Sequence, residues 1–322
     1  MFTSKDIETA NADAADLRQR RPAHKHHDAS IALRPFAGRI GGNQEFTISP
    51  DDTNFSSVVA KTPDAAPIFT WTESFGLHAF SSPDLWKEAT LEGVGTCLQV
   101  YLSGLFSIGL SPRGTQPGNG QVTATVIASL ANALLIALFI YGGGPVSGGH
   151  FNPLITMGTF VAKLAALPRV VLYVGFQCAG AVVAGFMVRV SLGEGRDGLS
   201  VVPGCTMDTG LVTPGEAFAL ETMSAFALLF IAFGVGLDPR QRSVFGPAVS
   251  PILVGLALGL CGFASGVARV GYTGASLNPG RCLGLMAAGD NFTYHYVHWA
   301  GGITAAILNG VMYQVIPIYK HE

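Results

Sequence analysis

The chain has 322 residues, of which 49% are hydrophobic and only 12% charged, for a formal net charge of -2. Its mean hydropathy is +0.40. A charged soluble binder and a nucleic-acid partner are excluded, because both need charged surface that most of this chain lacks. The charge present is uneven: residues 1–87 hold 20 of the 40 Asp, Glu, Lys and Arg residues, and the other 235 residues hold the remaining 20.

Residues 1–70 are rich in Ala, Asp, Ser, Pro and Arg without a sustained hydrophobic period, which predicts a disordered cytoplasmic tail. Its basic and histidine-rich run from Arg18 to His27 is flanked by Asp13, Asp16 and Asp28 and reads as a solvated segment. No short apolar core of a cleaved signal opens the chain, so membrane targeting is expected from the spans themselves. Between Trp71 and Trp86 the residues Phe75, Leu77, Phe80 and Leu85 recur without long gaps, and 71–87 is expected to lie along the membrane surface as an amphipathic pre-membrane segment.

Six apolar stretches follow at 90–110, 121–141, 168–190, 213–236, 247–268 and 293–317, each long enough for the about 20 residues that cross a bilayer. Two shorter apolar pieces, Asn152 to Lys163 and Pro279 to Ala288, are about half a crossing each. They expose an internal repeat. Asn152-Pro153-Leu154 and Asn278-Pro279-Gly280 are 126 residues apart, and Glu92 in the first span and Glu221 in the fourth are 129 apart. Residues 88–192 and 213–318 are therefore two repeats within a membrane domain of 88–318. Three spans per repeat force the second to enter the membrane from the opposite side. The expected fold class is an all-α membrane protein with six transmembrane helices plus two re-entrant half-helices in an inverted repeat. With both termini cytoplasmic, the inner connections carry Lys163, Arg169, Arg240 and Arg242 and the outer ones mainly Arg113, Arg189 and Arg196, the expected basic bias.

Asn before Pro suits a helix start: the Asn side chain caps free backbone N–H groups, and Pro at the first helical position loses no hydrogen bond. Two such pairs at matched places, each opening a half-helix in hydrocarbon, have a more specific consequence. Irregular backbone at that depth is tolerated where it lines a cavity or is buried in protein. Meeting head to head, the half-helices bring two positive dipole ends, each about half an elementary charge, to the midplane and repel cations. The two Asn amides donate to a neutral oxygen, so small polar molecules pass while a proton-carrying water chain is interrupted.

Ser147-Gly148-Gly149-His150-Phe151-Asn152-Pro153, the run from Gly271 to Arg281 through Asn278-Pro279-Gly280, and His298-Trp299 together resemble the major intrinsic protein (aquaporin) family over about residues 88–318. Cys282 directly after Arg281 resembles the X-intrinsic proteins, a subfamily of fungi and plants, and the long N-terminal tail suits a fungal member. Leu154 and Gly280 stand where most relatives have Ala, which bears on pore width rather than on fold. The resemblance implies a homotetramer in the plasma membrane, in contact with lipid, with no cofactor and no metal. It also implies a four-residue constriction on the outer side, carried over without gaps onto Asn132, Gly266, Ala275 and Arg281. Gly266 has Ser265 and Val267 as the neighbouring alternatives. No aromatic residue falls in this ring, whereas water-selective relatives narrow theirs with an aromatic and a His. Cys282 and Met286 occupy places where glycerol-conducting relatives typically have Asp and a basic residue, and His298-Trp299 is closer to water channels. The X-intrinsic relatives are associated with hydrogen peroxide, glycerol, urea and boric acid. The expected function is a passive channel for hydrogen peroxide, glycerol, urea and some water that excludes protons and ions.

Glu92 and Glu221 are intramembrane carboxylates, and such groups are proton-relay or ion-binding suspects. Their symmetric placement points instead to a scaffold that accepts hydrogen bonds from the re-entrant loops. His150 reads as a loop-bracing or inner-vestibule residue, since no second metal ligand stands near it, and Arg269 and Tyr272 read as interface anchors. A secondary transporter with inverted repeats is the main alternative, with only Glu92 and Glu221 as candidate ion ligands. An intramembrane hydrolase is disfavoured, because Gly274-Ala275-Ser276-Leu277-Asn278 lacks the final Gly of a nucleophile elbow; the chain is not expected to be an enzyme. Five Cys residues show no CxxC pair, and Cys97, Cys178 and Cys261 sit inside apolar runs. Cys205, in the connection between the repeats, and Cys282 fall together at the outer mouth. Either they form a disulfide, or Cys282 packs as a small apolar residue and Cys205 stays free.

Overall fold

The computed structural model describes residues 36–41, 47–110, 122–193 and 205–316, and within them the apolar runs are helices. In chain order these are α1 (Pro83–Leu110), α2 (Val122–Ser147), the half-length α3 (Pro153–Val161), α4 (Leu167–Leu192), α5 (Pro214–Ala232, continued by a π-helical turn Phe233–Leu237), α6 (Gly246–Ala268), the half-length α7 (Pro279–Ala288) and α8 (Tyr296–Val315). Five of the six long helices are apolar enough over sufficient length to cross a membrane. The sixth, α8, spans 20 residues and is more polar because His298 and Asn309 lie on it, both buried in the bundle. On the outer wall, Leu130, Leu134 and Leu138 form an exposed stripe along α2, four residues apart, as a lipid-facing or subunit-facing helix requires.

Packing follows the repeat. Helix α1 packs on α4 and α5 on α8, while each half-helix leans on the last span of the other repeat: α3 on α8, α7 on α4. Glycine permits these approaches. A Cβ on Gly180 would strike the Gly93 carbonyl, one on Gly185 the Gly284 carbonyl, one on Gly284 the Ala181 carbonyl, and one on Gly310 would meet Val161. The small residues of α4 at 180 and 185 thus serve packing within the protomer.

Two expectations need correction on the face that carries the N-terminal segment, called here the tail-side face. Helix α1 begins at Pro83, so the last five residues of 71–87 belong to the first span; Trp71–Ser74 is a short helix with a Thr70–Glu73 capping box. The described part of 1–70 is ordered: residues 36–41 and 47–70 fold onto the bundle, with Phe36–Gly41 buried throughout. Ala37 N–H donates to the Asp64 carbonyl at 2.7 Å, Ile40 N–H to the Gly148 carbonyl at 3.0 Å and Gly41 N–H to the Gly236 carbonyl at 2.8 Å. Composition misleads here because the charges that suggest disorder are paired. Arg169 donates to Asp64 at 2.8 Å and to Glu88, Arg39 lies 3.6 Å from Glu88, and all four side chains are at most 4% exposed. Arg39 also donates to the carbonyls of Gly144, Pro145 and Val146 at the C-terminus of α2, where the helix leaves acceptors without internal partners. Burial lowers the Arg39 pKa, and Glu88 opposes that shift. The basic run at 18–27 lies outside the described residues, as do Arg113 and Arg196.

Candidate pore

Both re-entrant loops reach their half-helices through the same backbone path. Gly148 and Gly274, 126 residues apart, have φ of +92° and +95°, and Phe151 and Leu277, also 126 apart, have φ of +47° and +52°. The glycines make the first turn without a Cβ penalty. A left-handed Phe or Leu is costly and persists because the surroundings hold it. Those surroundings centre on Glu92 and Glu221. Glu92 accepts from Ser147 Oγ (2.6 Å), His150 N (3.0 Å), Phe151 N (2.5 Å) and Gln177 Nε2 (2.9 Å). Glu221 accepts from Tyr272 OH (2.5 Å), from Ser276 N and Oγ (2.9 and 2.8 Å), and pairs with His298 Nδ1 at 2.6 Å. Tyr272 is fully buried, and is therefore no interface anchor; Arg269 instead pairs with Glu216 at 2.9 Å.

At the half-helix starts, Asn152 Oδ1 accepts from Leu154 N at 2.9 Å and Asn278 Oδ1 from Arg281 N at 3.1 Å. The amide nitrogens cross over: Asn152 Nδ2 donates to the Leu277 carbonyl (2.7 Å) and Asn278 Nδ2 to the Phe151 carbonyl (3.1 Å). Each amide nitrogen carries two N–H groups, so each keeps one beyond this crossed bond. Pro153 and Gly280 face each other, since a Cβ on Gly280 would sit 3.1 Å from Pro153 Cγ. Leu154 is buried and points at Gly302 of α8, so its bulk fills the core between α3 and α8. His150 bridges Thr156 Oγ1 (3.0 Å) and the Gly38 carbonyl (2.8 Å), which ties the first loop to the N-terminal segment.

Toward the far face, Asn132, Gly266, Ala275 and Arg281 are all half-buried. Of the three residues around 266, Ser265 accepts from Ala275 N at 3.0 Å, Val267 is exposed, and Gly266 lies against Gly274. The α2 residue that meets Gly266 is Thr125, whose Cγ2 would be 3.1 Å from a Cβ at 266. Asn132 stands seven residues along α2, roughly 10 Å deeper at the helical rise, with Nδ2 bonded to the Ala128 carbonyl. Ser103, Ser107 and Gln177, polar residues inside apolar spans, are the other partners that the motifs did not mark; their signal was polarity at membrane depth.

Cys205 and Cys282 are joined in a disulfide with Cα atoms 5.2 Å apart. This pins the connection between the repeats over the second half-helix, and His298 Nε2 contacts the Cys205 carbonyl at 3.2 Å. The Sγ atoms and the His298 ring cluster closely, but the sulfurs are bonded to each other and cannot serve as thiolate ligands. Cross-linking residues 77 apart constrains the unfolded chain by about 2–4 kcal/mol. Reductant is therefore expected to lower the thermal midpoint of the detergent-solubilised protein and to leave a Cys205→Ala/Cys282→Ala variant unaffected. Equal midpoints with and without reductant, with the bond shown to be cleaved, would remove that stabilising role.

The sequence profile of the major intrinsic proteins matches residues 79–313. The chain belongs to the major intrinsic protein family. Aquaporin TIP4-2 of Zea mays is 31% identical over 245 residues, covering 75% of this chain and 90% of that protein. Aquaporin-4 of Rattus norvegicus is 29% identical over 247 residues, covering 76% and 69%. Among solved structures, the aquaglyceroporin from Plasmodium falciparum superposes with a TM-score of 0.59 at 21% identity, over 73% of this chain and 97% of that one. The fold is the aquaporin fold, and the protein is an integral membrane channel of the class that carries water and small solutes. In these terms, the crossed Asn pair is the meeting point of the two half-helices of one aquaporin protomer.

Proposed function

We propose that this aquaporin is a passive facilitator for small neutral solutes larger than water (glycerol, urea and hydrogen peroxide), with some water passing and protons and ions excluded. The residues carried over to the ring with Arg281 support the proposal: Asn132, Gly266 and Ala275 are non-aromatic and half-buried. A ring without an aromatic side chain would leave width for a three-carbon polyol, and Asn132 would add a polar amide to it. Cation exclusion rests on the paired helix N-termini, and the spare Asn N–H groups favour a solute oxygen as acceptor. An ion-coupled transporter would need unoccupied carboxylates, whereas Glu92 and Glu221 are each taken up by four groups of the surrounding loops and helices.

Cys282 after Arg281 supports a place near the X-intrinsic proteins of fungi. The far-face disulfide suits an oxidising exterior. With Arg39, Lys163, Arg169, Arg240 and Arg242 on the tail side, it supports cytoplasmic termini and a plasma-membrane location. Because the half-helices meet within one chain, each member of a homotetramer has its own path. In proteoliposomes, Ala275→Phe is expected to cut glycerol and urea entry roughly tenfold, an effect of about 1.4 kcal/mol, with water entry falling less. Mixed with wild-type subunits, the variant should lower glycerol entry in proportion to its share. Equal loss for all solutes would move the constriction elsewhere, and loss steeper than proportional would contradict independent paths.

A further inference from the structure

Arg281 is held from the first span. Its Nε donates to Ser103 Oγ at 2.9 Å and its Nη2 to Ser107 Oγ at 3.0 Å. Residues four apart on a helix stack on one face, and Nε with Nη2 forms one edge of the planar guanidinium, so two hydroxyls of α1 meet two donors of a single rigid fork. Ser107 gives its own proton to the Ser103 carbonyl at 2.9 Å, which turns an Oγ lone pair toward Arg281. The third corner, Nη1, reaches the disulfide sulfur of Cys205 at 3.6 Å. Ser103 is within reach because the adjacent Gly104 brings α1 against α4 and α7, where a Cβ would meet Val188 and Leu285 at 3.1 Å.

We propose that Ser103 and Ser107 are specificity-determining positioning residues: by holding the Arg281 guanidinium against α1 they keep the ring open to solutes larger than water. The proposal rests on the ring placement given above. Arginine is long and flexible, and a guanidinium without these acceptors would be free to swing toward the proposed ring of Asn132, Gly266 and Ala275. Hydrogen bonds to a charged group favour the held position on the order of tenfold each. Removal of both should therefore change which solutes pass, while the Asn pair, Glu92 and Glu221 are untouched.

The test compares wild type with Ser103→Ala/Ser107→Ala, Ser107→Ala alone, Ser103→Thr/Ser107→Thr and Arg281→Ala in proteoliposomes, with water, glycerol and urea entry measured on each. The double Ala variant is expected to lower the glycerol-to-water ratio roughly tenfold. Ser107→Ala, at a half-buried site where folding is little disturbed, should lower it less. The double Thr variant, which keeps both Oγ atoms, should restore the ratio. An unchanged or raised ratio in the Ala variants overturns the proposal, as does a Thr pair no better than the Ala pair. Arg281→Ala tests the ring itself, since an unaltered solute range there means that Arg281 is not at the constriction. If wild type passes water alone, the solute reading fails while the clamp is judged on water: slower entry in the Ala variants supports it and equal entry overturns it.

Discussion

Deletion of residues 1–46 is expected to raise water and solute flux per channel on the order of tenfold, the gain when a path that is blocked nine-tenths of the time is opened. The segment Phe36–Gly41 touches both repeats at the tail-side face. It bonds Gly148 and His150 on the first re-entrant loop, bonds Gly236 after α5, and rests on Pro247 at the start of α6. A strap tied to both walls is expected to obstruct the tail-side end of the path between them. Ile40 packs against Gly236 and in the same apolar cluster as Val254, and the Arg169 guanidinium lies 3.8 Å from the centre of the Phe36 ring. Arg39→Ala and Ile40→Ala should raise flux part of the way by loosening the strap without removing it. Per-channel permeability in proteoliposomes, normalised to protein, measures this; an unchanged rate in the deletion variant would mean that the strap leaves the path clear.

The second large effect is expected at Glu221. Replacement by Ala strands Tyr272 OH, Ser276 N–H, Ser276 Oγ and the His298 ring together, all within the bundle. At about 1–3 kcal/mol for each buried polar group left without a partner, the total rivals the whole stability of a folded domain, about 5–15 kcal/mol. Glu221→Ala should therefore yield no monodisperse protein on size-exclusion chromatography. Glu221→Gln, which keeps one acceptor oxygen but turns an NH2 toward donors, should give reduced yield and a lower thermal midpoint. A fully folded, active Ala variant would show that the loop holds its shape without this anchor.

Much of the channel was legible in the residues themselves. Asn152, Asn278, Glu92 and Glu221 could be paired by their offsets because an inverted repeat writes its symmetry into spacing, and that symmetry survives to the φ angles of Gly148 and Gly274. Apolar runs mark spans, so the six long helices were visible, although α2 runs on to Ser147, past the end expected at 141. The folding of residues 36–41 and 47–70 was not visible, because hydropathy counts Arg39, Asp64, Glu88 and Arg169 as solvated charges and carries no information on whether they meet. The same blindness hid the serine pair under Arg281: these contacts depend on how α1 and α7 approach one another. Cys205 and Cys282 were an intermediate case, placed at one face by topology but with a separation that only coordinates supply.

Passive conduction of neutral solutes through each protomer is tested by solute entry into proteoliposomes, followed by stopped-flow light scattering with a pH-sensitive dye inside. Glycerol and urea entry should rise linearly with the imposed gradient, independently of any sodium or proton gradient, while the dye reports no proton entry above that of empty liposomes. Saturating entry driven by an ion gradient, or proton entry that tracks solute entry, would contradict passive, proton-excluding conduction.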